Sequence, residues 1–213
     1  VNRVIFPNYL DDFFQRIDFA IFGYQPAEVW GQLYDSFLVQ ELFHFAYFSY
    51  YPMIFGVSLA FYIKDRQYFH KQIFMITFLF YSCYLIYMVL PVVGGRALPG
   101  LTELTKIYRY GPFTKIMAFI YNRSTHWGGA FPSSHVAVAM LISFTSFRLS
   151  KRLGYILVSI SLLLSLSIVY CHYHYFIDAV FGILFSIIFF YLGAKVYEQK
   201  PVQPSPNLHK ESL

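Results

Sequence analysis

Apolar residues run through this chain in long blocks, and polar residues collect at the joints between them. From Ser36 to Ile63 the chain is apolar and aromatic, interrupted near its start by Glu41 and His44. A spanning helix needs about 20 mainly apolar residues, so the first membrane helix is placed here. Similar blocks cover Gln72–Val93, Phe131–Phe147, Tyr155–Tyr173 and Tyr175–Tyr197. Short basic turns separate them, at Lys64-Asp65-Arg66 through Lys71 and at Arg148 to Arg152 with Gly154. Gly94-Gly95-Arg96 closes the second block, because paired glycines and a charge break an apolar helix. Residues 1–35 hold no uninterrupted span: Asp11, Asp12, Arg16, Asp18, Glu28 and Asp35 alternate with apolar positions, and Gly23 and Pro26 punctuate them. They predict an amphipathic segment lying in the interface. Residues 94–130 form the longest polar connection, and Tyr108, Phe113, Met117 and Phe119 predict that it is an ordered flap of short helices. The tail, 198–213, with Lys200-Pro201 and Pro204-Ser205-Pro206, is expected to be disordered. The pattern therefore predicts an all-α integral membrane protein, a multi-pass bundle of about five to six transmembrane helices with an interfacial N-terminal helix. Residues 1–35 are the interfacial segment, 36–197 the membrane domain, and 198–213 a cytoplasmic tail.

Composition agrees. The chain is 57% hydrophobic and 13% charged, against roughly 25% charged in soluble domains. Its net charge of +5 reads as the bias of short loops, with Lys106, Arg109, Lys115 and Arg123 in the long 94–130 connection besides, and there is no Lys/Arg stripe for a nucleic-acid partner. Cys83 and Cys171 lie inside apolar runs and read as small buried hydrophobes. Tyr47, Tyr50, Tyr51, Tyr84 and Tyr87 read mostly as lipid-facing or helix-packing positions, with one or two left as candidates for touching a headgroup. No secretory signal pattern is expected. Lys64, Arg66, Lys71, Arg148, Lys151, Arg152, Lys195 and Lys200 fall on one side of the alternating spans. Short Lys/Arg-rich loops face the cytoplasm, so Arg96, His135, His174 and Asp178, on the other side, would face away from it. The expectation is a bacterial cytoplasmic membrane with a periplasmic site.

Those four residues are costly to place at membrane-helix ends, which makes them a site hypothesis. His174 and Asp178 are four apart, on one face if the fifth helix begins at or just before His174. A carboxylate there would fix the imidazole tautomer and free the other nitrogen as nucleophile or base, or the pair simply seals a helix end. Pro132-Ser133-Ser134-His135 opens the third span. Ser133 suits an N-cap, and the free N–H groups beyond it favour an anion, phosphate above all. His135 would project from the first turn, placed to protonate a leaving oxygen, or it is incidental to an ordinary capped helix. Arg96 suits bidentate phosphate binding, or snorkels at the interface.

With these pieces in this order, the chain resembles the type 2 phosphatidic acid phosphatase superfamily over roughly 90–195. That family's pattern is Lys, six residues, Arg-Pro; then Pro-Ser-Gly-His; then Ser-Arg, five residues, His, three residues, Asp. Here the matching positions are Val89, Arg96-Ala97; Pro132-Ser133-Ser134-His135; and Ser167-Ile168, His174, Asp178. The resemblance implies that His174 attacks phosphorus to form a phosphohistidine, Asp178 orients it and His135 protonates the leaving group. It implies that Arg96 and the Ser133–Ser134 backbone hold the phosphate oxygens and that neither metal nor other cofactor is needed. The partners implied are a lipid phosphate substrate and membrane lipids. Val89 stands where the family has Lys, and Ile168 where it has a second Arg, so two of three cations are missing. Arg123, His126 and His172 are the candidates to replace them. The His172-Tyr-His174-Tyr string with Asp178 is also similar to the branch containing inositol phosphorylceramide and sphingomyelin synthases, which transfer a phospho-headgroup between lipids.

Two readings of other classes stand beside this one. His172, His174, His135 and Asp178 offer a metal-ligand set if the chain around His172 is extended. A non-enzymatic transporter or scaffold with buried polar residues is the other. Asn122-Arg123-Ser124 matches a glycosylation sequon, a pattern chance supplies equally well.

Overall fold

The computed structural model describes residues 6–34, 36–98, 111–123 and 128–199. It is all-α. In chain order the helices are α1 Asp11–Phe22, α2 Pro26–Leu33, α3 Phe37–Phe48, α4 Tyr50–Lys64, α5 Arg66–Val89, α6 Pro112–Asn122, α7 Ser134–Ser146, α8 Lys151–Tyr170 and α9 Phe176–Glu198, with a short 3₁₀ turn at Gly95–Ala97. The expected cytoplasmic tail, His126, Lys106 and Arg109 lie outside the described residues, except that α9 runs on to Glu198.

Three of the helices, α5, α8 and α9, are long and apolar enough to cross a membrane. The first expected span is two helices, α3 and α4, bent by 41°. The cause is legible: Pro52 cannot donate to the carbonyl four residues back and its ring crowds that carbonyl. At the break the Ser49 hydroxyl bonds back to the Ala46 carbonyl at 2.5 Å. The third expected span is α7, which has only 13 residues, about 20 Å against roughly 30 Å of hydrocarbon. Among the described residues the full-length spans therefore number three, or four with the bent pair, against the five to six expected.

α7 is short because it is the centre of the bundle. Nearly every residue from Val136 to Ser146 is buried, and α4, α5, α8 and α9 pack around it. Its buried hydroxyls bond within the bundle: Ser143 meets Ser161 of α8 at 2.8 Å, and Thr145 accepts the Gln72 amide of α5 at 3.0 Å. At one end of the bundle charges pair, Arg148 with Asp65 at 2.8 Å and Lys71 with Glu198 at 2.7 Å. The end of α5, the start of α7 and the turn between α8 and α9 meet at the other.

The N-terminal segment also differs from expectation. It is two helices, separated where Gly23 adopts a left-handed φ of 74° and α2 restarts on Pro26. Phe13, Phe19 and Ile21 are exposed, as an interfacial helix requires, but Asp11 and Asp18 are buried against the bundle. α1 packs on α9, and α2 on α8.

α9 approaches the start of α7 closely at Gly182, where a Cβ would lie 2.8 Å from the Ser133 carbonyl oxygen and 2.9 Å from the Val136 Cβ. The carbonyl is backbone and cannot turn aside. Gly182→Val is expected to destabilise the fold by about 2 kcal/mol, read as a lower unfolding midpoint in detergent; an unchanged midpoint would contradict this packing.

Candidate active site

Three chain segments converge at the polar end of α7. The first is the turn after α5. Val92 bridges to Gly129, and the Val92 carbonyl accepts the Ala130 N–H at 2.9 Å. Gly94 follows with φ of 88°, and a Cβ there would sit 2.5 Å from the Tyr173 carbonyl oxygen. Only glycine lets this turn lean on the turn carrying His174. The Arg96 guanidinium then lies 4.1 Å over the Tyr121 ring and 5.9 Å from the Tyr173 ring. Tyr121 and Tyr173 are themselves stacked, centroids 3.9 Å apart. Arg96 Nε is buried and has no partner among the described residues.

The second segment is the start of α7. Ser133 is its N-cap, accepting the Val136 N–H at 3.4 Å, as expected. Its own N–H donates to the Asp178 carbonyl at 3.1 Å. The Ser134 N–H donates to the Tyr87 hydroxyl at 3.3 Å, and that hydroxyl donates to the Pro132 carbonyl at 2.9 Å. The N–H groups of Ser133 and Ser134, expected to hold phosphate, are thus already engaged inside the protein. His135 projects from the first turn, packed against Tyr47 and Tyr50 at 5.1 and 4.7 Å between centroids.

The third segment joins α8 to α9. The Ile168 carbonyl accepts the N–H groups of both Tyr173 and His174, at 2.9 and 3.0 Å. Ile168, where a second Arg was absent, has its side chain in the core. His174 and Asp178 do meet, Nδ1 to Oδ2 at 3.2 Å. They do so differently from expectation: α9 begins at Phe176, so His174 precedes it and Asp178 reaches back from the first turn. The same Oδ2 accepts the Tyr175 N–H at 3.0 Å.

These segments enclose a cavity of about 190 Å³ lined by Arg96, His135 and His174, with Tyr47, Tyr51, Tyr121, Tyr173 and the backbone of 128–130 among the other walls. The His135 and His174 ring centroids are 6.3 Å apart. Drug-sized sites run to roughly 300–1,000 Å³, so this one fits a small polar group and not lipid chains.

Arg123 and His172 do not line it. Arg123 is exposed and stacks over Phe119, 3.7 Å from the ring centroid. His172 has φ of 61°, which turns its ring away to bond the Ala27 carbonyl and pack on Gly31. The donor set weighed for a metal is therefore dispersed, and no cluster of three His, Cys, Asp or Glu able to hold a metal occurs among the described residues. His126 lies outside the described residues.

The sequence reading had Tyr47 and Tyr51 among its headgroup candidates but missed Tyr121 and Tyr173, and it missed two acidic anchors. Glu41 caps α6, accepting the N–H groups of Phe113 and Thr114 at 2.9 and 3.1 Å and the Thr114 hydroxyl. Asp18 caps α9, accepting the N–H groups of Phe176 and Ile177 at 2.7 and 3.1 Å. The available signal for the second was Asp11 and Asp18 seven apart on one face of an amphipathic helix.

The family model described as "PAP2 superfamily" matches residues 22–192. The chain belongs to the PAP2 superfamily. It is also similar to a PA-phosphatase related-family protein of Dictyostelium discoideum, 26% identical over 172 residues that cover 68% of this chain and 30% of the relative. The chain thus spans under a third of that curated relative's length. No solved structure matches. The superfamily match begins well before the three motifs, taking in the helices that wall the cavity.

Burial, then the Arg96 charge, hold the His174 pKa down at about 3, against the pull of the nearby Ala130 carbonyl. Burial lowers that of His172 too, opposed by the Ala27 carbonyl. Both rings are neutral in the fold, and the unfolded chain takes up protons first as pH drops. The stability due to this is whole above about 6.5 and is lost as pH falls toward about 3, by at most about 1.4 kcal/mol per pH unit for one group. Between about pH 7 and pH 5 the unfolding midpoint in detergent is expected to change with a more destabilising slope in the wild-type protein than in His174→Gln. An identical slope in that variant would show that His174 does not carry the effect.

Proposed function

We propose that this protein is a membrane lipid phosphatase acting through a phosphohistidine on His174. What carries the reading is that Arg96, His135 and His174, from three separate segments, line one cavity, with the buried Asp178 bonded to His174. With Nδ1–H donating to Asp178, the His174 Nε2 lone pair is free to attack phosphorus in line. The P–N bond forms as the bond to the lipid oxygen breaks, and the Asp178 carboxylate offsets the positive charge left on the ring. Arg96 and the tyrosine hydroxyls meet the phosphoryl oxygens, where charge builds up. An anion in the cavity favours the protonated form of His135 beside it, and that proton goes to the departing alcohol. Water then attacks phosphorus, giving its proton to His135, the P–N bond breaks with its electron pair returning to His174 Nε2, and phosphate leaves. The cavity has room for the phosphate group alone, and the apolar helices around it would leave the chains in the bilayer, which supports an amphiphile of the phosphatidic acid, phosphatidylglycerol phosphate or polyprenyl phosphate type. Such a lipid would reach the site laterally, on the side opposite the basic turns, and the cytoplasmic bias of short Lys/Arg-rich loops supports an extracytoplasmic face for the chemistry.

One observation favours a second reading. Arg96 is the single Lys or Arg side chain lining the cavity among the described residues. A phosphodiester carries one negative charge where a monoester carries up to two, so a lone guanidinium suits a diester better. Transfer of a phospho-headgroup to an alcohol would share the phosphohistidine step and differ only in the acceptor.

Purified protein in detergent with EDTA, offered lipid phosphomonoesters, is expected to release phosphate. His174→Ala and His135→Ala should each abolish release while still eluting as folded protein, and Asp178→Asn should cost less than His174→Ala. Near-normal turnover in either histidine variant would sink the mechanism. No phosphate, but a new phospholipid from phosphatidylinositol with ceramide or diacylglycerol, would select the transferase.

A further inference from the structure

Asp11 sits in α1, outside every segment that faces the cavity, yet it is 6% exposed. Burying a carboxylate is costly unless several donors meet it, and here four hydrogen bonds do. It accepts the Val93 N–H through both oxygens at 3.1 Å, the Gly94 N–H at 3.0 Å and the Tyr175 O–H at 2.9 Å. Gln15, one turn on, donates to the same Tyr175 oxygen at 3.0 Å. The next backbone contact, the Leu10 N–H to the Pro91 carbonyl at 2.9 Å, lies on the same turn. Gly94 is two residues before Arg96, and Tyr175 directly follows His174. One side chain therefore joins the turn that aims the guanidinium to the turn that aims the imidazole. Burial raises the Asp11 pKa, against the pull of those donors, so this charge is held at a cost that an apolar anchor would avoid.

We infer that Asp11 is a positioning residue for the reaction: it sets the separation of Arg96 and His174 through the Val93–Gly94 backbone and the Tyr175 hydroxyl. The inference rests on the preceding reading that Arg96 and His174 act on the phosphate. The Asp11 carboxylate bonds neither side chain directly. It acts on both through backbone, so its loss lets the two turns drift apart while each residue stays present. A misplacement of about 1 Å between reacting groups costs on the order of 100-fold in rate.

The test uses Tyr175→Phe, Asp11→Asn and the double variant, measured beside Arg96→Ala and His174→Ala on whichever lipid phosphate the wild-type protein turns over. Tyr175→Phe keeps the buried ring and removes only the hydroxyl link, so it stays informative if Asp11→Asn fails to fold. Each single variant is expected to lower kcat by about 10- to 100-fold, with KM changed far less, and the double variant to lose little more than the worse single one, because the two groups act as one link. A purely structural anchor would lower the unfolding midpoint and leave kcat per folded molecule intact. Folded Tyr175→Phe with wild-type kcat would overturn the inference. If Arg96→Ala and His174→Ala are also active, the reading of the site itself fails; if they are dead while Tyr175→Phe is normal, only the role of Asp11 does.

Discussion

A helix that ends inside a bilayer has no water to satisfy its first N–H groups, and each must find a protein partner. This constraint organises the polar end of the bundle. α9 takes two carboxylates, Asp18 on its first N–H groups and Asp178 on the Tyr175 N–H. α7 takes the Ser133 side chain, the Asp178 carbonyl and the Tyr87 hydroxyl. α6 takes Glu41. The His174–Asp178 contact is part of this arrangement, because one oxygen of Asp178 both starts the helix and holds the imidazole. The orientation of the His174 ring and the helix start are thus one structural fact, and a change to either disturbs both.

The membrane helices were legible because long apolar blocks have few other meanings, and Arg96, His135, His174 and Asp178 were legible because polar residues at their ends stand out. What was not legible depended on distant partners. Tyr87 reads as one aromatic among many, and its bonds to Pro132 and Ser134 join residues 45 and 47 positions away. Asp11 and Asp18 look solvated in a mixed segment, and only the docking of α1 on α9 buries them. The bend at Ser49 had a visible cause in Pro52, outweighed by unbroken hydropathy around it. His172 resembled a second site histidine by spacing, but a left-handed backbone at that one residue sends its ring to Ala27. Ser133 capped α7 as expected, while the neighbouring N–H groups that seemed free for an anion were taken by Asp178 and Tyr87.

The shortness of α7 bears on the missing cations. Its far end lies with the paired charges at one surface of the bundle, so 13 residues leave its N-terminus about 10 Å short of the opposite surface of the hydrocarbon. In the proposed reading a phosphate at His135 would be drawn below the headgroup plane, where water is scarce and the effective dielectric constant is low. Coulomb attraction grows as that constant falls. On the proposed function, one guanidinium at this depth would exert on a desolvated anion a pull that several cations would share at a wet surface, so that recession of the site would stand in for the number of its charges.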